Sequence, residues 1–186
     1  MKAAIFICGT ALLLTGCDNK ETGPMSAEQV AEKMDSVKLE PGEWEATQEI
    51  VDVKMTGLPK GMPAEAMQQM IGKKNTIKHC VTPEMAANPS ADFLAAQKDA
   101  NCTYENMDMS GGTINGKMTC AAPNNTKAVM KMTLKGTYLP ASYAMDMTME
   151  SQGMGEGMTM NMQMKSSGKR IGACPAGSET APKAGG

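Results

Sequence analysis

The chain has 186 residues, enough for a single domain with a substantial apolar core. Its formal net charge is -2, which excludes the strongly basic surface that nucleic-acid binding requires, so no nucleic-acid partner is expected. Aromatic residues make up only 3% of the chain, whereas 21 residues are methionine. Methionine must therefore supply much of the apolar core.

The first 16 residues are typical of a lipoprotein signal peptide. Residues 3–14 form an apolar run that is too short to span a bilayer as a helix, which takes about 20 residues. The tetrad Leu-Thr-Gly-Cys that ends at Cys17 resembles the lipobox of bacterial lipoproteins, whose cysteine is lipidated and becomes the first residue. We therefore expect acyl chains on Cys17 to anchor the protein on the periplasmic side of a bacterial membrane. Asp18 resembles an inner-membrane retention signal, which slightly favours that membrane. The alternative is an ordinary signal peptide with an incidental cysteine.

A polar tether and a short helix follow the anchor. Residues 17–25 are expected to be the tether, and residues 26–38 the helix. Ser26 and Gln29 fit a capping box, in which each side chain satisfies a backbone N–H of the other residue. One side of the helix carries Val30, Met34 and Val37. The helix is thus predicted either to pack on the rest of the domain or to space it from the membrane.

A β-rich domain is predicted over residues 39–174. Its first strand covers residues 43–55, and its apolar residues change parity midway, so we expect a β-bulge near residues 47–50. Pro63 is predicted to open a short helix, and a second strand is predicted over residues 75–81.

Short helices and a meander complete the domain. Thr82–Pro83 and Asn88–Pro89 are signals for the start of short helices. Strands are then predicted over residues 103–109, 113–121 and 126–138, on both sides of a glycine-rich loop at 153–157, and, after a turn signal at 166–168, over 169–174. The fold class is therefore mainly β, an antiparallel meander forming a strongly curved sheet or partly open barrel. The tail over residues 175–186 is expected to be disordered.

Methionine occupies every second position on both sides of the glycine-rich loop. The alternating residues are Met145, Met147, Met149, Met158, Met160, Met162 and Met164. Period-two alternation is typical of a half-buried strand, because successive side chains point to opposite faces of a sheet. The two strands therefore present one methionine face and one polar face.

Four cysteines remain after the signal peptide and the lipidated Cys17 are set aside. They are Cys80, Cys102, Cys120 and Cys174, and an even number in an exported chain predicts two disulfides. Four cysteines allow three pairings. Because Cys80 and Cys102 flank one helical excursion between strands, we expect them to pair, which leaves Cys120 with Cys174.

Several short motifs occur in a fixed order along the β-rich domain. They are PGEWE at 41–45, Cys80 with TPE at 82–84, Cys102, MTC at 118–120, GTY at 136–138, the alternating methionines and GKRIGAC at 168–174. Together they resemble the domain-of-unknown-function family 3617 of exported proteobacterial proteins. The resemblance implies export, paired cysteines and a β-rich domain, and it carries no activity.

The sequence offers no catalytic constellation. His79 is the only histidine and has no partner at metal-ligand or triad spacing, so it is expected to be structural or on the surface. We therefore expect no enzyme activity, no catalytic residue and no cofactor.

The alternating methionines are the one unusual chemical feature. The leading interpretation is a non-enzymatic cell-envelope lipoprotein whose methionine-lined face binds an apolar ligand or an envelope protein. The alternative is a periplasmic Cu(I)/Ag(I)-binding protein that uses the seven methionines, since thioethers are soft ligands. Oxidant scavenging by reversible sulfoxide formation is a third hypothesis. The length of the alternation favours a broad apolar face over a compact ligand cluster.

Overall fold

The computed structural model describes residues 23–57, 68–91, 94, 101–122, 125–153 and 157–177. In this part of the chain the helices are α1 (Ala27–Asp35) and α2 (Pro83–Ala87). The strands are β1 (Gly42–Thr56), β2 (Lys74–Val81), β3 (Asn101–Asp108), β4 (Thr113–Ala122), β5 (Asn125–Leu139), β6 (Ser142–Gln152) and β7 (Thr159–Gly172).

The strands form one antiparallel sheet in the order β2-β1-β7-β6-β5-β4-β3. β3 to β7 follow one another as a meander, and β1 lies between β7 and β2. Because β2 and β3 are opposite edges of the sheet, the sheet stays open. The prediction of a mainly antiparallel β fold with short helices is confirmed, and the open form is the one adopted.

A bulge in β1 explains the change of parity in its sequence. Ile50 pairs with Met164 and Asp52 pairs with Gln163, so Val51 is the extra residue. The bulge therefore lies just after the predicted window of residues 47–50. It brings Val53, which is buried, to the same face of the sheet as Trp44.

β7 is longer than the sequence predicts. The turn signal at residues 166–168 is wrong, because these residues stay paired with β6 on one side and β1 on the other. Gly168 lies opposite Tyr143, and a Cβ atom there would overlap the tyrosine ring. Glycine is thus required by close packing at this position and does not end the strand.

α1 begins at the predicted capping box and packs on the sheet. The Ser26 hydroxyl accepts a hydrogen bond from the Gln29 backbone N–H at 3.3 Å, and the Gln29 side chain accepts one from the Ser26 N–H at 2.9 Å. Val30 is 1% exposed and belongs to a core cluster with Met25, Tyr104 and Met109. The partly buried residues packed against this cluster are Ala27, Met34, Val37, Cys102, Met107, Ile114 and Met118. The helix therefore covers the β3–β4 end of one face, and the spacer alternative is wrong.

α2 begins as predicted, since the Thr82 hydroxyl accepts from the Met85 N–H at 3.1 Å and Pro83 occupies the first turn. In the segment that follows α2, the N–H of the buried Ser90 donates to the Asp35 carboxylate at 3.4 Å. This segment therefore passes the end of α1. The helix predicted from Pro63 lies outside the described residues, apart from its last positions. The signal peptide, Cys17 and the tail beyond Gly177 also lie outside them.

The four cysteines do form two disulfides, but the predicted pairing is wrong. Cys102 bonds Cys120, which lies directly opposite it on the adjacent strand, with Cα atoms 4.1 Å apart. Cys80 bonds Cys174, with Cα atoms 5.5 Å apart. β1 lies between β2 and β7 but begins only at Gly42. The chain that leaves the end of β7 can therefore pass the start of β1 and reach Cys80 on β2. A Cβ on Gly42 would overlap the Gly172 carbonyl, so glycine permits this close approach.

Candidate functional site

One side of the sheet carries the alternating methionines and is called here the methionine face. β6 and β7 contribute Met145, Met147, Met149, Met160, Met162 and Met164. β4 and β5 add Met118, Met130, Met132 and Leu134 in register with them. Met158 precedes β7 and lies in the turn, where its carbonyl accepts a hydrogen bond from the Gly153 N–H at 3.3 Å. The structure therefore brings six of the seven predicted methionines together on strands.

The strand register places several methionines directly beside one another. Met118 pairs with Met132, Met132 pairs with Met149, and Met149 pairs with Met162. This methionine row crosses four adjacent strands, and β1 ends it with Val53. Because side chains opposite each other in an antiparallel pair share a face, all four thioethers project to the same side.

The neighbouring rows differ in composition. The row on one side contains Leu134, Met147, Met164 and Ile50. The row on the other side contains Met130, Ser151, Met160 and Met55. Met145 lies one row further on, opposite Ser166 and Gly136. Met147, Met149, Met162 and Met164 therefore occupy four adjacent positions on this face and are called here the four-methionine block.

The methionine face is only partly covered. Each methionine of β6 and β7 on this face is half-buried, whereas fully buried apolar residues lie at both sides of the array, under α1 and around Trp44. α1 reaches the face through Met118 and Ile114 on β4, at one end of it. The centre of the sheet thus presents apolar and thioether surface that solvent still reaches.

Aromatic residues cover the end of the methionine face that lies away from α1. Trp44 is 1% exposed and stacks on Tyr143, with ring centroids 6.3 Å apart and planes inclined by 20°. The Trp44 indole N–H donates to the Glu40 carbonyl at 3.0 Å, so the chain before β1 is fastened over it. Tyr143 in turn packs on Gly168. This packing fixes the end of β6 and β7 against β1.

On the opposite side of the sheet, lysines lie across the strands from acidic residues, so their charges largely cancel. One row carries Lys135, Asp146, Lys165, Glu49 and Lys74 on β5, β6, β7, β1 and β2. Lys74 and Glu49 form an ion pair at 3.4 Å, and Lys169 pairs with Glu45 at 3.1 Å in the same way. Opposite charges placed directly across strands are mildly stabilising and remain hydrated. This polar face is therefore a solvated surface.

The titratable groups do not form a reaction centre. Burial raises the pKa of Tyr104 above its ordinary value, and the Glu28 carboxylate raises it further. His79 lies on β2 opposite Trp44, half-buried, and its Nδ1 has no hydrogen-bond partner among the described residues. Within the same ranges, no three residues of the His, Cys, Asp and Glu types lie together as metal ligands. Methionine thioethers are not among these four residue types and are a separate class of metal ligand.

Met118 and Met132 are not among the seven candidate ligands that the sequence predicts, although the alternation is expected to continue through Met130 and Met132. A signal for Met132 was present, because Pro140 and Ala141 form a two-residue connection between β5 and β6 that fixes Tyr138 opposite Tyr143. Counting back along both strands from that pair places Met132 opposite Met149. Met118 can be placed beside Met132 only when the β4–β5 register is known.

The fold is thus that of an open antiparallel β domain with two disulfides. The chain belongs to the family described as "Protein of unknown function (DUF3617)", whose model matches residues 39–174. No curated protein and no solved structure matches the chain. The described residues also include no helix of the length and apolar character needed to cross a membrane.

Proposed function

We propose that this protein is a non-enzymatic cell-envelope lipoprotein whose methionine face binds an apolar ligand or an envelope partner. The observation that carries the proposal is the half-burial of the methionines at the centre of the sheet. A residue that only fills the core is normally buried, as Trp44 and Val53 are on the same face. Contiguous apolar surface left accessible to solvent is typical of a binding surface.

The chemistry of methionine supports this role. Its side chain is unbranched, has three rotatable bonds and carries a polarisable sulfur, so a surface of methionines can adapt to ligands of different shape. The charged side of the sheet offers no comparable surface, because its charges alternate and are hydrated. Apolar contact on the methionine face is thus the interaction that the domain is best suited to make.

The proposed anchor places the domain close to a membrane. The Met25 N–H donates to the Tyr104 carbonyl at 2.7 Å, so the chain is fixed to β3 eight residues after Cys17. Fully extended, that length reaches about 28 Å at most. The corner formed by α1 and β3 would therefore lie nearest the bilayer.

The binding proposal is tested with a fluorescent apolar probe and a matched pair of variants. Met162→Gln removes apolar surface from the centre of the methionine face while keeping similar length, and Thr148→Gln introduces the same side chain on the polar face. We expect the wild type and Thr148→Gln to enhance probe fluorescence and Met162→Gln to lose most of the enhancement. Equal binding by all three folded proteins would contradict the proposal.

The anchoring proposal has its own test. Cys17→Ser removes the sulfur that would be acylated, so we expect the protein to leave the membrane fraction or to remain unprocessed. Processing and membrane fractionation are measured by mass spectrometry and by flotation of cell envelopes. A variant that is cleaved and floats with membranes like the wild type would show that Cys17 is not the anchor.

A further inference from the structure

We propose that the four-methionine block of Met147, Met149, Met162 and Met164 is a binding site for a soft monovalent cation, Cu(I) or Ag(I). This goes beyond the proposed function, because it depends on sulfur donors and not on apolar area. It rests on the β6–β7 register, which no feature of the sequence fixes.

The β6–β7 register places the four methionine side chains close enough to bind one ion. Met147 lies directly opposite Met164, and Met149 lies directly opposite Met162. Directly opposite Cβ atoms in an antiparallel pair are about 4.5–5.5 Å apart, and diagonal neighbours about 7–8 Å, which long side chains span. Met132, opposite Met149 on β5, places a fifth sulfur beside the block. Flexible thioethers at these spacings can turn three or four sulfur atoms toward one ion.

The donor set selects the class of ion. Thioethers are neutral, soft ligands that suit Cu(I), whereas carboxylates, carbonyls and water suit hard cations. The residues beside the block are apolar, namely Leu134, Ile50 and Val53. Removing a cation from water costs less for a single charge than for a double charge, so a monovalent ion is favoured in these surroundings.

Competing soft ligands are held elsewhere in the structure. Cys80, Cys102, Cys120 and Cys174 are all in disulfides, so these four residues offer no thiolate. His79, the only histidine of the chain, lies on β2, which β1 separates from β7. The methionine face therefore presents grouped soft donors, and the half-burial of its thioethers leaves them within reach of an incoming ion.

The test is a competition titration of the purified mature chain against a chromogenic Cu(I) chelator, with a parallel Ag(I) titration. The test variant is Met149→Leu/Met162→Leu, which removes two sulfurs of the block and keeps side-chain volume nearly constant. The matched control is Met145→Leu/Met160→Leu, on the same strands and face but opposite Ser166 and Ser151. Far-ultraviolet circular dichroism and a thiol assay verify the fold and the disulfides in every sample.

We expect the wild type and the control to take one Cu(I) per chain from the chelator, and the test variant, which keeps only two sulfurs of the block, to lose most of this uptake. X-ray absorption of the loaded wild type should show sulfur neighbours alone around copper. If Met149→Leu/Met162→Leu fails to fold, Met147→Leu/Met164→Leu removes the other two sulfurs of the block and tests the same prediction. Absence of binding by the wild type, equal loss in test and control variants, or nitrogen neighbours from His79 would each overturn the proposal. The apolar-probe assay is run without metal on the wild type, so failure of Cu(I) binding and failure of apolar binding are read separately.

Discussion

Removing the Cys80–Cys174 disulfide should destabilise the domain more than removing the Cys102–Cys120 disulfide. The bonded residues are 94 positions apart in the first case and 18 in the second. In the chain-entropy model, loops of these lengths contribute about 4.7 and 3.2 kcal/mol to the free energy of unfolding at 25 °C. The shorter loop lies within the longer one, but this lowers both losses by the same amount, because each variant keeps only the other disulfide. The expected difference is therefore about 1.5 kcal/mol.

The two double variants are well matched. Cys80→Ala/Cys174→Ala and Cys102→Ala/Cys120→Ala each replace one buried and one half-buried cysteine, so their packing losses are similar. Urea unfolding can be followed by the fluorescence of Trp44, the only tryptophan of the chain and 1% exposed in the fold. With a urea dependence of about 2 kcal/mol per molar, the first variant should unfold at about 0.75 M lower urea than the second.

An equal loss, or a larger loss from Cys102→Ala/Cys120→Ala, would refute the loop-length reasoning. The pairing itself is checked separately by peptide mapping without reduction. We expect one peptide that links Cys80 to Cys174 and another that links Cys102 to Cys120. A Cys80–Cys102 peptide would contradict the structure.

Three smaller changes give further tests, each read from urea midpoints. Ser26→Ala removes the hydroxyl that caps α1 and should cost about 1 kcal/mol; no loss would mean that the cap contributes nothing. Gly168→Ala forces a methyl group against Tyr143 and should cost about 1–3 kcal/mol, whereas Gly172→Ala enters open space and should be nearly neutral. Because folding raises the pKa of Tyr104, wild-type stability should decline as pH rises above about 10, through the folded pKa. Tyr104→Phe should decline less, and identical pH profiles would exclude this contribution.

Local features of the fold could be predicted from the sequence because short-range rules govern them. The capping box at Ser26 fixed the start of α1, since both of its hydrogen bonds join residues three positions apart. The Thr82–Pro83 signal fixed α2 in the same way. Strand existence followed from period-two alternation, although the signal at residues 166–168 was misleading because its glycine serves packing against Tyr143.

Features that join distant residues could not be predicted with the same success. The disulfide prediction failed because it used proximity along the chain, whereas Cys174 reaches Cys80 through the position of β1 between β2 and β7. The change of parity shows only that a bulge lies near residues 47–50, and pairing with β7 shows that Val51 is the extra residue.

For the candidate site, the sequence by itself determined which methionines share a face, because alternation along one strand is a local property of extended backbone. Only the tertiary structure decided which of them are neighbours. The connection between β6 and β7 is longer than a tight turn, so local turn chemistry does not set the register that places Met149 opposite Met162. That register depends on the pairing of β7 with β1, which lies far away in the sequence, and it turns a broad alternating pattern into one compact block of methionines.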